Sequence, residues 1–204
     1  MHSEESAFKT AGNIEFLFFI IGLVLAMFAI RAFVVEPVRV EGESMINTLR
    51  DGERCFVEKV GYLFTSPKQG DIVIVRFPDR GRETFVKRIV AVGGQTVSLG
   101  SENAIDPDTG EVTVSYFVLI DGERLDESAY EATMLFDKGM PNINITCEGS
   151  RGGSFTVPEG YVFVMGDHRT NSLDSRRVGP IPLSDVVGRV HATVYPFKDI
   201  RKVN

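Results

Sequence analysis

Residues 84–92 read TFVKRIVAV, and only Thr84, Lys87 and Arg88 among them are polar. Val, Ile and Phe dominate the run, and a Gly-Gly pair closes it at 93–94. Such a composition predicts a strand. Successive side chains of a strand alternate, so Phe85, Lys87, Ile89 and Ala91 share one face, while Val86, Arg88, Val90 and Val92 share the other. Both faces are mainly apolar, which predicts a strand covered on both sides with one cation set into each. Arg88 stays charged wherever it lies. A lysine amine stripped of water has a lowered pKa and is able to accept a proton. The other reading of Lys87 is that it snorkels to an exposed rim along its own methylene stem.

Outward from this strand the same pattern repeats. Residues 54–60 (RCFVEKV), 71–77 (DIVIVRF), 95–99 (QTVSL), 114–120 (VSYFVLI), 161–166 (YVFVMG) and 188–197 (GRVHATVYPF) are rich in Val, Ile, Phe and Tyr. Turn signals such as KQGD, DPDTG and VPEG separate them. Long amphipathic helices are absent, and 182–188 (PLSDVVG) has room for one short turn. The expected fold is mostly β, an antiparallel domain spanning 36–204. Within it, residues from about 100 to 158 read as a hairpin and long loops inserted into the β framework. Asn144-Ile145-Thr146 fits a glycosylation acceptor pattern, a tripeptide far more often found as an ordinary surface loop.

The chain has 204 residues, 43% of them hydrophobic and 25% charged, which is ordinary for a globular protein. A net charge of −6 offers no basic stripe for a nucleic-acid partner. His2, His168 and His191 are too scattered for a metal cluster, and no phosphate-cradling motif occurs, so no metal or other cofactor is expected. Cys55 and Cys147 lack metal-ligand spacing and are either free or paired with each other.

One segment departs from the globular pattern. From Phe16 to Ile30 no side chain is charged or polar, and after Arg31 the apolar run resumes to Val35. About twenty residues of helix span the hydrocarbon core of a bilayer. The flank MHSEESAFK carries two Glu against one Lys, which suits a cleaved leader poorly. A core helix apolar all round would be unusual. The expectation is therefore a short tail at 1–13 and a single transmembrane anchor at 14–35, ended by Glu36-Pro37. The flanking charges do not determine its orientation.

Two polar stretches remain. In 39–49, RVEGESMINTL, Ser44 becomes a nucleophile only if a base removes its proton, and a lysine serves that role as well as a histidine. Residues 165–176, MGDHRTNSLDSR, read either as a solvated turn or as an orienting network. In the second reading Ser172 holds the amine of Lys87 and Asp174 pairs with Arg176.

Taken together and in order behind one apolar segment, VEGESMINTL, GDIVIVRFP, FVKRIVAVGG and MGDHRTNSLDSR resemble the type I signal peptidases, bacterial membrane serine peptidases with a Ser-Lys dyad. The resemblance covers nearly the whole chain and is weakest over 100–158. It implies Ser44 as nucleophile, Lys87 as general base and Ser172 as the serine that orients the lysine. Asp174, Arg176, Asp167 and Arg169 match the supporting residues of the last motif. Val40, Gly42, Met45 and Val86 lie where the family lines its substrate pockets. It further implies signal-peptide-bearing secretory precursors as substrates, membrane lipid as the surroundings, and a catalytic domain on the outer face of the cytoplasmic membrane. The chain departs from the commonest pattern at Asn47, at Gly93-Gly94-Gln95 and at His168. Gly42 replaces a Ser that adds an oxyanion donor in some members. The rival readings are a dedicated Ser-Lys peptidase of a conjugation or secretion system and a tethered β domain that binds peptides without cutting them.

Overall fold

A computed structural model describes residues 15–28, 35–46, 48–105, 110, 112–130, 135–136 and 144–203. Contacts divide the chain into two units, Met1–Glu36 and Pro37–Asn204. In the first, residues 15–28 are helical and every one of them is exposed, Phe16 and Phe18 by about two thirds. Among the described residues no helix is long and apolar enough to cross a membrane. The expected tail at 1–13 and residues 29–34 of the expected anchor lie outside the described residues. The anchor's expected last residue is corrected. Val35 opens a strand, and Glu36-Pro37 lie within it rather than ending a helix. That strand is the last in its sheet, and an edge position tolerates a proline that donates no hydrogen bond.

The second unit is mostly antiparallel β, as its alternating apolar runs require. In chain order the strands are β1 Val35–Arg39, β2 Arg54–Glu58, β3 Ile72–Arg76, β4 Thr84–Val92, β5 Thr96–Ile105, β6 Val112–Ile120 and β7 Glu123–Arg124. They continue as β8 Leu135–Phe136, β9 Ser154–Thr156, β10 Tyr161–Met165, β11 Ile181–Pro182, β12 Val186–Tyr195 and β13 Arg201–Lys202. One sheet runs β1-β2-β12-β3-β4-β10-β11, with β13 added beside β12. The other runs β7-β6-β5-β9, with β8 beside β6. The short turn anticipated at 182–188 is a 3-10 turn at Leu183–Asp185.

The strand expected over 95–99 continues to Ile105, and β6 pairs with it from Val97↔Ile120 to Ile105↔Val112. Gly100, Ser101, Glu102 and Asn103 have little strand preference of their own. An equally long partner holds them extended, which local composition does not report. The result is a second sheet, and one core joins it to the first. Val97, Val118 and Phe155 from the second sheet bury against Val90, Phe163 and Met165 from the first.

β4 sits between β3 and β10 and is buried from Lys87 to Ala91. Lys87 is 2% exposed, so the rim reading of its side chain does not hold. Val73, directly across in β3, is fully buried. Phe85 and Ile89, on the same strand face as Lys87, pack into the cluster that contains Val73.

Cys55 and Cys147 are free, buried and in different core clusters, which settles the pairing that the sequence left open. Burial pushes the Cys55 thiol up to about 11, and Glu53 adds to the effect. A thiolate is therefore scarce at neutral pH. We expect a maleimide probe to label neither cysteine in the native protein and both after denaturation. Labelling without denaturant would contradict this packing.

Candidate active site

Two segments meet at the end of β1. The first is the turn after Val40, where Gly42 adopts φ +85°, a conformation that favours glycine. Its N–H donates to Asp51 Oδ1 at 2.8 Å, which fixes the turn. Two residues on, Ser44 Oγ lies 2.7 Å from Lys87 Nζ in hydrogen-bond geometry. Burial lowers the Lys87 amine to about 8, against an opposing pull from Asp174 and Asp167 and with a smaller lowering by Arg176. The pair thus joins a hydroxyl to an amine that loses its charge near neutral pH.

The second segment is the loop after β10. Its first contribution is through backbone. His168 N–H donates to the Ser44 carbonyl at 3.0 Å, and Asp167 N–H donates to Met45 Sδ at 3.4 Å. The replacement at His168 is accommodated because the backbone makes that bond. The His168 ring instead lies against the Glu43 carbonyl at 3.2 Å. Gly166 permits the close approach. A Cβ there would come within 2.4 Å of Ser172 Oγ and 2.5 Å of the Ser44 carbonyl oxygen.

Behind this contact are buried charges. Asp167 accepts from Arg88 Nε and Nη2, both at 2.9 Å, and also from the Thr48 hydroxyl. Arg88 Nη1 donates to the Gly70 carbonyl at 2.9 Å. Asp174 pairs with Arg176 at 2.8 Å through two nitrogens and accepts from Gly166 N–H at 3.1 Å. Burial alone would raise the Asp174 carboxyl, but its bonds and charge pairing with Arg176 outweigh this and hold it below the usual range. Asp174 also caps the short helix Ser175–Val178 by accepting from Arg176 N–H. Arg176 Nη2 reaches back to the Arg169 carbonyl at 2.7 Å, and the Arg169 guanidinium pairs with Glu127.

The structure thus brings together Ser44, Lys87, Asp167, Arg169, Asp174 and Arg176, but it does not join Ser172 to Lys87. Ser172 Oγ is close enough to Asp174 to help hold that carboxyl down, yet among the described residues no group meets it in hydrogen-bond geometry. Val40, Gly42, Met45 and Val86 line one groove with Ser44 and Lys87, a depression of about 510 Å³ bounded by residues 38–45 and 82–87. Asn47 lies outside the described residues. No set of His, Cys, Asp or Glu able to hold a metal occurs among the described residues.

Sequence patterns assign no role to Thr48, Gly166, Glu127 or Tyr130. Arg88 stood out as a cation in an apolar strand, but its partner was not evident. Pairing β4 with β10 places Arg88 opposite Met165, beside the Asp167 loop.

The signal peptidase, peptidase S26 family model matches residues 13–195. Signal peptidase I of Bacillus licheniformis is 34% identical, with both chains covered in full. Signal peptidase I of Bacillus amyloliquefaciens is 35% identical over 90% of this chain and 85% of its own. Signal peptidase I of Mycobacterium tuberculosis is 31% identical over 93% of this chain and 76% of its own.

Because backbone and side chain both crowd Gly166, Gly166→Ala should push the Asp167 loop away from Ser44. Peptide-bond cleavage should fall at least about tenfold, with a melting temperature lowered by only a few degrees, roughly the cost of local overpacking. Steady-state kinetics beside a thermal melt would check this.

Proposed function

The chain belongs to the signal peptidase S26 family, and on that premise we propose that it removes N-terminal signal peptides from exported precursors with Ser44 as nucleophile and Lys87 as general base. The observation that carries the residue roles is the 2.7 Å approach of a buried amine to a single hydroxyl.

Neutral Lys87 accepts the Ser44 proton as Oγ bonds to the scissile carbonyl carbon. The carbonyl becomes an oxyanion, which the Ser44 backbone N–H is placed by its own attachment to stabilise. One such donor is worth on the order of 10²–10³ in turnover. As the oxyanion collapses, the C–N bond breaks and Lys87 returns the proton to the leaving amine, the new N-terminus of the mature protein. The signal peptide is left esterified to Ser44. Lys87 then takes a proton from water, whose oxygen attacks the ester carbon; the C–Oγ bond breaks, Lys87 returns the proton to Ser44 Oγ, and the signal peptide leaves as a carboxylic acid. No step requires an outside reductant, metal or nucleotide.

The groove suits an extended chain. Residues 82–86 offer a strand edge on one side, and alternate substrate side chains would face the apolar floor of Val40, Met45 and Val86. Family resemblance adds that small residues, typically Ala, occupy the −1 and −3 positions.

We place the enzyme at the membrane, with a single anchor ending before β1 and the catalytic domain on the extracytoplasmic side of the cytoplasmic membrane. The support is physical. A helix whose apolar side chains all face outward is costly in water and stable in lipid. Beside the nucleophile, Ile46 and Ile200 are also exposed and line one shallow depression. A membrane-tethered precursor would present its cleavage site at the bilayer surface. Ser44 is at most about 3.5 Å per residue along the chain from the anchor's end.

The test is cleavage of a secretory precursor by the detergent-solubilised chain. Ser44→Ala and Lys87→Ala should each lose cleavage by a factor on the order of 10³ or more while remaining folded by circular dichroism. Full cleavage by either variant would remove the dyad. The pH dependence has a definite sign. Below the lysine's pKa the ammonium cannot accept a proton, so kcat/KM should rise with pH, reach half its maximum near 8 and level off above.

A further inference from the structure

Arg88 carries four hydrogen bonds, and all of them leave from the edge of its guanidinium plane. Nε and Nη2 hold Asp167, Nη2 also reaches Thr48 at 3.3 Å, and Nη1 holds the Gly70 carbonyl. What remains is the flat face, and an aromatic ring covers it. The Tyr130 ring centroid lies 3.8 Å from Arg88 Cζ. Tyr130 belongs to the loop that follows β7 in the second sheet, outside every catalytic motif. Its hydroxyl donates to Glu127 at 3.1 Å, and Glu127 also takes the Arg169 guanidinium, so the loop is pinned to the segment that carries Asp167.

We propose that Tyr130 is a positioning residue for the Ser44–Lys87 pair, acting by holding the plane of Arg88 against Asp167. The role rests on the reading of Ser44 and Lys87 as the dyad. The connection is short in both directions. Arg88 follows Lys87 directly in β4, and Asp167 precedes His168, whose N–H holds the Ser44 carbonyl. A guanidinium fixed at its edge and stacked on its face has no freedom to tilt, so base and nucleophile keep one spacing. The negative face of the ring adds cation–π attraction in a site screened from water.

Electrostatics give the proposal a signature that mere structural support lacks. Lys87 is faced by Asp174, Asp167 and Arg176. Asp167 is paired with Arg88 at 2.9 Å. When the ring no longer holds Arg88 in place, more of the Asp167 charge is felt at Lys87, which favours the ammonium. The rising limb of activity must then move to higher pH.

The experiment uses the detergent-solubilised full chain and a secretory precursor, with Ser44→Ala as control. Two ring-less variants of similar bulk, Tyr130→Leu and Tyr130→Met, are compared with Tyr130→Phe, which keeps the ring and loses only the hydroxyl. The ring-less variants should lower plateau kcat about tenfold and leave KM within about twofold, since Tyr130 does not line the substrate groove. Their kcat/KM profile should rise at higher pH than wild type, and Tyr130→Phe should restore both kcat and profile. Several results would overturn the role of Tyr130: wild-type kcat in the ring-less variants, a lower kcat with an unmoved pH profile, or Tyr130→Phe as impaired as Tyr130→Leu. If both ring-less variants fail to fold, Tyr130 is a structural residue and the proposal is equally wrong. Failure of the dyad itself looks different, because Ser44→Ala would then still cleave.

Discussion

Everything at this site depends on one buried ion pair. Arg88 and Asp167 are 1% and 0% exposed, and neither charge is stable in such a place without the other. A hydrophobic pair of equal volume would fold as well or better, so the pair is poor evidence for stability. Its value is geometric. Two parallel hydrogen bonds from a planar guanidinium to a planar carboxylate admit one arrangement, and that arrangement aligns β4 with the loop after β10. Ser44 is on neither element. It is held by its own carbonyl to His168 and through Met45 to Asp167, so its distance from Lys87 is set by the pair it does not touch.

A second buried pair works on the electrostatics. Asp174 and Arg176 sit near the amine with opposite signs, and each partly cancels the other's influence on it. Desolvation then remains the leading influence, which is what a lysine needs to be neutral without a neighbouring cation. Covering Lys87 from water falls to apolar β3 and β4, through Val73, Phe85 and Ile89. Ser44 meanwhile lines the groove bounded by residues 38–45 and 82–87, so the amine is buried while the hydroxyl remains reachable.

The second sheet belongs to this arrangement. Its Val118 and Phe155 bury behind Val90 and Met165, at the back of the strands that carry Lys87 and lead to Asp167. The carbonyl of Arg176 accepts from the Thr146 and Cys147 amides, which ties the last motif to the same inserted region. The inserted region is thus in contact with the last motif.

Local composition showed where most of the longer strands lie and which chemical groups are present. Alternation in TFVKRIVAV held from Phe85 to Ile89, but a register shift against β10 breaks it there, so Ala91 buries with Val90 and not with Ile89. Uniform apolarity marked 16–30 as a candidate anchor. Four ordered motifs pointed to Ser44 and Lys87. Their encounter was a tertiary event, because 43 positions separate them and the Ser44 turn is held by the loop after β10, the neighbour of β4 in the sheet. The extension of β5 through Gly100 to Ile105 was likewise decided by a partner strand and not by local preference. Tyr130 and Glu127 gave no sign at all, since a tyrosine in a polar loop has no period and no motif. Sequence patterns record which faces are buried and which groups are present. A cation stacked on a ring, or a glycine whose added Cβ would lie 2.5 Å from a carbonyl oxygen, exists only once distant segments have been folded against each other.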